Sequence, residues 1–152
     1  IGLAAAEACI PKIKEEKVPE HLDKIGKILK NGINEQAKNH GIEEYIQCIG
    51  YPCRSIISFN GNNRFDELEM KSFFQQELIR RGILWAGYHA LSWSHSLTDI
   101  KATLNALDET MTLFKKVLNK KQSLIDKIEG IPVQTIFRKV ADFNSYTAKS
   151  KT

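Results

Sequence analysis

Between positions 88 and 96 the chain gathers Tyr88, His89, Ser92, His95 and Ser96, side chains whose hydrogen-bonding chemistry could serve a small ligand. A phenol and an imidazole can each bond a carboxylate or a hydroxyl, and an imidazole changes charge near neutral pH. A strand serine such as Ser92 more often satisfies a neighbouring backbone group. Ser96, with Asp99 three residues on, makes a near capping box, which gives His95 and Ser96 a structural role at a helix entrance. Arg54 could bind a carboxylate, although an arginine at a strand edge is ordinarily a surface or ion-pair residue. His21 and His40 fall near helix ends, where solvent is the expected partner. No pair of His, Cys, Asp or Glu has metal-ligand spacing, no nucleophile stands with a base, and no Gly-rich phosphate loop is present.

The elements that must position these residues follow from apolar spacing. A small-residue helix is expected over 2–17, kinked or restarted at Pro11, which removes a hydrogen bond and clashes one turn back. A second helix starts at Pro19, suited to a first helical position. Leu22, Ile25, Leu29, Ile33 and Ala37 give it an apolar stripe, and Gly41 a stop. Two short β-branched or aromatic runs, 45–49 and 55–59, flank Gly50-Tyr51-Pro52 and read as antiparallel strands. A third helix spans 66–81, burying Leu68, Phe73, Phe74 and Leu78. Ile83-Leu84-Trp85 reads as a short buried strand and Ala90-Leu91-Ser92 as another. The last strong helix, 97–120, carries Ile100, Leu104, Leu107, Met111, Phe114 and Leu118 as a seam; Met111 and Phe114 are assigned to the core. An extended segment is expected over 131–137 and a polar tail after it. The order predicts an α+β two-layer sandwich, a small antiparallel sheet of three to four strands with helices on one face.

A chain of 152 residues, 42 % hydrophobic and 26 % charged, suits one globular domain that buries about 68–70 % of its unfolded surface. The net charge of +4 is spread out, and 20–30 interleaves both signs, which argues against a nucleic-acid face. Lys115, Lys116, Lys120 and Lys121 end a predicted helix, where cations complement its dipole. No apolar run approaches the roughly 20 residues of a membrane span, and no basic residue precedes the apolar start as a signal peptide requires. Cys9, Cys48 and Cys53 make no even disulfide framework, which points to reduced thiols and a cytoplasmic protein. A start on Ile1, ahead of a helix with no capping residue, is expected of a piece of something longer.

Four stretches in order resemble the C-terminal small domain of class III pyridoxal-phosphate-dependent aminotransferases, in the branch of glutamate-1-semialdehyde aminomutase. They are Leu3-Ala4-Ala5-Ala6-Glu7-Ala8; His21-Leu22 through Ile25-Gly26 to Leu29 and Gly32; Gly50-Tyr51-Pro52-Cys53-Arg54; and 73–84 followed by Gly87-Tyr88-His89, Ser92, His95-Ser96 and Asp99-Ile100. Ile131-Pro132-Val133 with Phe137-Arg138 resembles a closing segment of the same branch. The resemblance covers about nine-tenths of the chain, and its weight lies in the common order and spacing of the motifs. It implies amino transfer through a lysine Schiff base to pyridoxal phosphate. The lysine belongs to a large domain N-terminal to this sequence, so no catalytic or cofactor-binding residue is expected here and the chain alone should catalyse nothing. It further implies a homodimeric parent acting on a small-molecule amino donor and acceptor. In the family the turn before the last long helix reaches toward the active site, making Tyr88, His89 and Ser92 the candidate substrate-pocket residues, with His95 and Ser96 structural beside them.

The domain layout implied is a helix, 1–18, leading to a missing large domain, the small domain over 19–138, and a tail, 139–152. Exposed apolar area is then expected along Leu3, Ala6 and Ile10. The rival reading is a free-standing α+β binding or regulatory module with the same small-domain fold.

Overall fold

Apolar residues four apart make α2 (Val18–Asn39) the centre of the fold: Ile25, Leu29, Ile33 and Ala37 are all buried. The computed structural model describes residues 1–134. In chain order these form α1 (Gly2–Glu15), α2, β1 (Ile46–Tyr51), β2 (Arg54–Phe59), α3 (Glu67–Arg80), α4 (Leu97–Asn119) and a 3-10 turn at Ile125–Lys127. β1 and β2 pair antiparallel from Ile46 opposite Phe59 to Tyr51 opposite Arg54, joined by Pro52 and Cys53. Ile46, Cys48, Ser55, Ile57 and Phe59 turn inward, the period-two alternation of a sheet with one covered face. α2 packs on that face and on α4, and α3 fills the space between α4 and β2. The result is the α+β sandwich with helices on one side.

Phe114 of α4 sits at the middle of the core. It is fully buried, with the rings of Tyr45, Phe65, Phe73 and Phe74 at 5.8, 5.7, 6.4 and 5.7 Å, each T-shaped or tilted as aromatic quadrupoles favour. Met111 is likewise buried. α2 crosses the hairpin turn so closely that a Cβ on Gly26 would lie 2.2 Å from the Pro52 carbonyl oxygen; only glycine fits there.

The free edge of β1 is covered by α2 side chains. The Asn34 amide accepts from Cys48 N–H at 2.7 Å and donates to Cys48 C=O at 3.0 Å, imitating a neighbouring strand, and Lys30 Nζ donates to Gly50 C=O at 2.7 Å. Helix ends follow their local chemistry. Ile42 N–H bonds Ala37 C=O and Gly41 N–H bonds Lys38 C=O, a Schellman stop with Gly41 at φ 61°. Asp66 caps α3 by accepting from Leu68 and Glu69 N–H. Glu77 of α3 is a buried carboxylate held by Arg80 and Arg81 at 2.6 and 2.8 Å. Burial alone would raise its pKa, but hydrogen bonds from Arg81, Gln76 and Arg80 outweigh that and hold it below the ordinary value.

Three expectations are corrected. Helix α1 runs through Pro11 without a break and ends at Glu15, and the restart falls at Lys17, whose φ of 52° is left-handed. The first helix turn of α2 begins on Val18, with Pro19 second, still among the N–H groups that lack intrahelical partners. Among the described residues the sheet has two strands, not three to four. The segments 83–85 and 90–92 are not strands: an isolated bridge joins Tyr88 to Ile56, and His89 and Leu91 donate to the Ser55 and Cys53 carbonyls. Gly87, at φ 104°, twists the segment out of a regular ladder just before it. The expected extended run 131–137 falls partly outside the described residues, and the tail 139–152 wholly so.

α1 itself has no buried residue, and Leu3, Ala6 and Ile10 are all exposed. No helix among the described residues is long and apolar enough to cross a membrane. Cys9, Cys48 and Cys53 are free thiols.

Candidate functional site

α3 ends at a second Schellman stop, with Gly82 at φ 79° and Ile83 N–H bonded to Leu78 C=O. That stop throws residues 83–91 back across the edge of β2, and Ser96 then starts α4. The cap is the full reciprocal box: Ser96 Oγ accepts from Asp99 N–H, and Asp99 Oδ2 accepts from Ser96 N–H at 2.7 Å. The Ser96 backbone and hydroxyl donors hold the Asp99 carboxyl below its ordinary pKa. Between the loop and the start of α4 lies a cleft of about 150 Å³ whose lining includes Trp85, Tyr88, His89, His95 and Asp99, with Leu29 and Ile100 beneath.

His89 is the most constrained of the site residues. Its N–H donates to Ser55 C=O at 2.7 Å, its Nδ1 pairs with Ser55 Oγ at 3.1 Å, and its ring lies 6.3 Å from that of Trp85. Burial lowers its pKa to about 4, so the imidazole is neutral at physiological pH. The charge change near neutrality that an ordinary histidine offers is therefore absent. Tyr88, on the opposite side of the chain, is half exposed and lies under the Arg54 guanidinium, whose carbon is 5.6 Å from the ring centroid. Arg54 is thus a surface residue held by a cation–π contact.

Tyr88, His89 and His95 share the cleft, but Ser92 is not in its lining. Ser92 instead closes a local turn. Its N–H donates to His95 Nδ1 at 2.9 Å and its hydroxyl contacts Ser94 Oγ and His95 Nδ1. His95 and Ser96 shape the helix entrance. His21 and His40 are not left to solvent: His21 Nε2 bonds the His95 carbonyl at 3.0 Å and stands edge-on to Trp93, and His40 pairs with Asp108 at 2.8 Å.

Two residues of this site were missed by sequence reasoning, Ser55 and Trp85. Ser55 carried a readable signal. Alternation along β2 puts it on the inner face with Ile57 and Phe59, and a buried hydroxyl requires a partner. That the partner is His89, 34 residues away, is a fact of the fold alone. Trp85 was read as a strand residue; it is buried while Leu84 beside it is exposed.

The cleft has no lysine in its lining, so it offers no amine for the Schiff base that pyridoxal phosphate forms, and its residues do not fit that cofactor. Among the described residues no three His, Cys, Asp or Glu side chains are placed to share a metal ion.

The chain matches no protein-family model. Its fold is of a kind found within pyridoxal-phosphate proteins. It superposes with a TM-score of 0.65 and 23 % identity on a solved structure described as the PLP internal aldimine form of the FumI protein of Sphingopyxis sp. MTA144. The match covers 76 % of this chain and 27 % of that one, so the chain spans about a quarter of the protein it resembles.

Proposed function

We propose that this chain is the small domain of a pyridoxal-phosphate-dependent aminotransferase or aminomutase of class III, in the glutamate-1-semialdehyde aminomutase-like branch, acting as a homodimer on a small amino donor and acceptor. The observation that carries this reading is the superposition on a pyridoxal-phosphate protein over 76 % of the chain, together with the four ordered motifs. In that reading the lysine and the cofactor lie in a separate large domain, and this chain supplies one wall of the substrate pocket. Tyr88 offers a phenol on the exposed side of the loop. His89, neutral and pinned by Ser55, fixes the loop's position and presents no charge. Ser92 holds the turn through His95. The bound cofactor supplies the electron sink for amino transfer; this chain's residues orient and exclude water.

The test has two arms. The longer protein, loaded with pyridoxal phosphate, is assayed for amino transfer against a panel of amino donors and keto acceptors. Turnover is expected, with Tyr88→Phe raising KM more than it lowers kcat; absence of turnover with every pair sinks the assignment. The chain alone, mixed with pyridoxal phosphate and borohydride, should show no stoichiometric adduct, and trapping on one lysine would place the cofactor seat here instead.

A further inference from the structure

A groove of about 330 Å³ runs between α3 and α4, apart from the cleft beside His89. From α4 it is lined by Leu113, Lys116, Val117 and Lys120, and from α3 by Phe73, Glu77 and Arg80. Both sets recur at three- and four-residue spacing, so each occupies one face of its helix. Lys127, from the 3-10 turn, adds a third lysine.

Charge in this lining does not balance. Glu77 is already met by Arg80 and Arg81, and Arg80 also by Glu129. Glu77 and Arg80 cancel within the groove, which leaves Lys116, Lys120 and Lys127 with no further acid in the lining. Their ammonium groups make no hydrogen bond or ion pair among the described residues. Nor does the end of α4 depend on them. The Arg64 guanidinium donates to the Val117, Leu118 and Gln122 carbonyls at 3.1, 3.0 and 3.3 Å, and so meets the negative pole of the helix. Lys116 and Lys120, four apart on one helix, repel each other. An anion bound at their rim relieves that repulsion.

Between the charges the lining is apolar. Phe73 and Val117 are buried, and Leu113 is partly buried against the same core. A simple inorganic anion would use only the rim, and a neutral hydrocarbon would leave the ammonium groups unmet. The combination calls for an anionic head and an apolar body in one molecule. A volume of about 330 Å³ corresponds to about eleven water-sized units. We propose that this groove binds an amphipathic organic anion, an alkyl carboxylate of about ten non-hydrogen atoms, with its head on Lys116, Lys120 and Lys127 and its chain over Leu113, Phe73 and Val117.

Octanoate is the probe, titrated into the 15N-labelled chain while the backbone amides of α3, α4 and the 3-10 turn are followed. Saturable shifts are expected there, with a midpoint on the order of millimolar for so few atoms. Acetate carries the head without the body and should bind at least about ten-fold more weakly. Octylammonium carries the body with the opposite charge and should not saturate these amides. Raising the salt from about 0.05 to about 0.5 M should weaken octanoate several-fold, since the three lysines are exposed. Lys116→Gln with Lys120→Gln should weaken it about five-fold. Lys24→Gln with Lys38→Gln, which removes two exposed lysines of α2 and gives the same net charge, should change it by less than about two-fold. Acetate or octylammonium binding as tightly as octanoate, octanoate shifts that saturate only outside α3 and α4, or equal effects of the two double variants would each overturn the assignment. The wild-type titrations decide the matter even if a variant does not fold. No pyridoxal phosphate enters the experiment, so its outcome is separate from that of the amino-transfer assays.

Discussion

α1 and α2 follow one another with only Glu16 and Lys17 between them, yet no residue of α1 is buried and five of α2 are. Both carry an apolar stripe at helical spacing: Leu3, Ala6, Ile10 and Ile13 in the first, Ile25, Leu29, Ile33 and Ala37 in the second. What differs is the neighbour. α2 lies between the hairpin and α4, whereas α1 touches little besides the start of α2. A stripe therefore says which face of a helix is apolar and leaves open what covers it. At 14 residues, α1 is also near the length at which helices without tertiary support become marginal in water.

The contrast is sharpest at Phe114. Phe114→Ala should remove about 3–5 kcal/mol of stability, since it empties a site bounded by four aromatic rings, as urea unfolding would show. A loss under about 1 kcal/mol would mean that the cluster collapses to fill the hole. Gly26→Ala should cost about 3 kcal/mol or more, because its Cβ would meet backbone that cannot swing aside. A folded variant with wild-type stability would show that α2 can slide on the hairpin.

His89 gives a pH-dependent version of the same comparison. Its pKa is about 4 in the fold against about 6.5 unfolded, so the unfolded chain binds the extra proton first. The contribution is fully present above about pH 6.5 and is lost as pH falls toward 4, by about 3 kcal/mol. His89→Gln should flatten the unfolding free energy across that window, and an unchanged slope would place the titration elsewhere. At the small end, Ile10→Ala in α1 should shift stability by less than about 0.5 kcal/mol. A larger loss in the isolated chain would mean that α1 is covered in solution.

Much of the architecture was legible. The stripes of α2 and α4, the Ser96–Asp99 cap, the glycine stops at Gly41 and Gly82 and the hairpin runs are local patterns, and local chemistry decides them. The restart expected at Pro11 falls instead at Lys17, because a proline removes only one N–H and the helix continues through it. The third strand was misjudged because Ile83, Trp85 and Leu91 have strand composition without a ladder to join. The site was half legible. Tyr88, His89 and His95 were named and do share a cleft. Ser92 was named and lies outside it. Ser55 and Trp85 went unnamed because their partnership with His89 depends on how the loop folds across β2.

The coverage of β1 by Asn34 and Lys30 has a consequence for the chain in concentrated solution. An open strand edge is a template on which another copy can add, and added copies can propagate into fibres. Here the backbone groups of Cys48 and Gly50 are already engaged by side chains of the same molecule. On that side a newcomer strand would have to displace Asn34 from both peptide groups of Cys48 and Lys30 from the Gly50 carbonyl, which makes growth by strand addition costly.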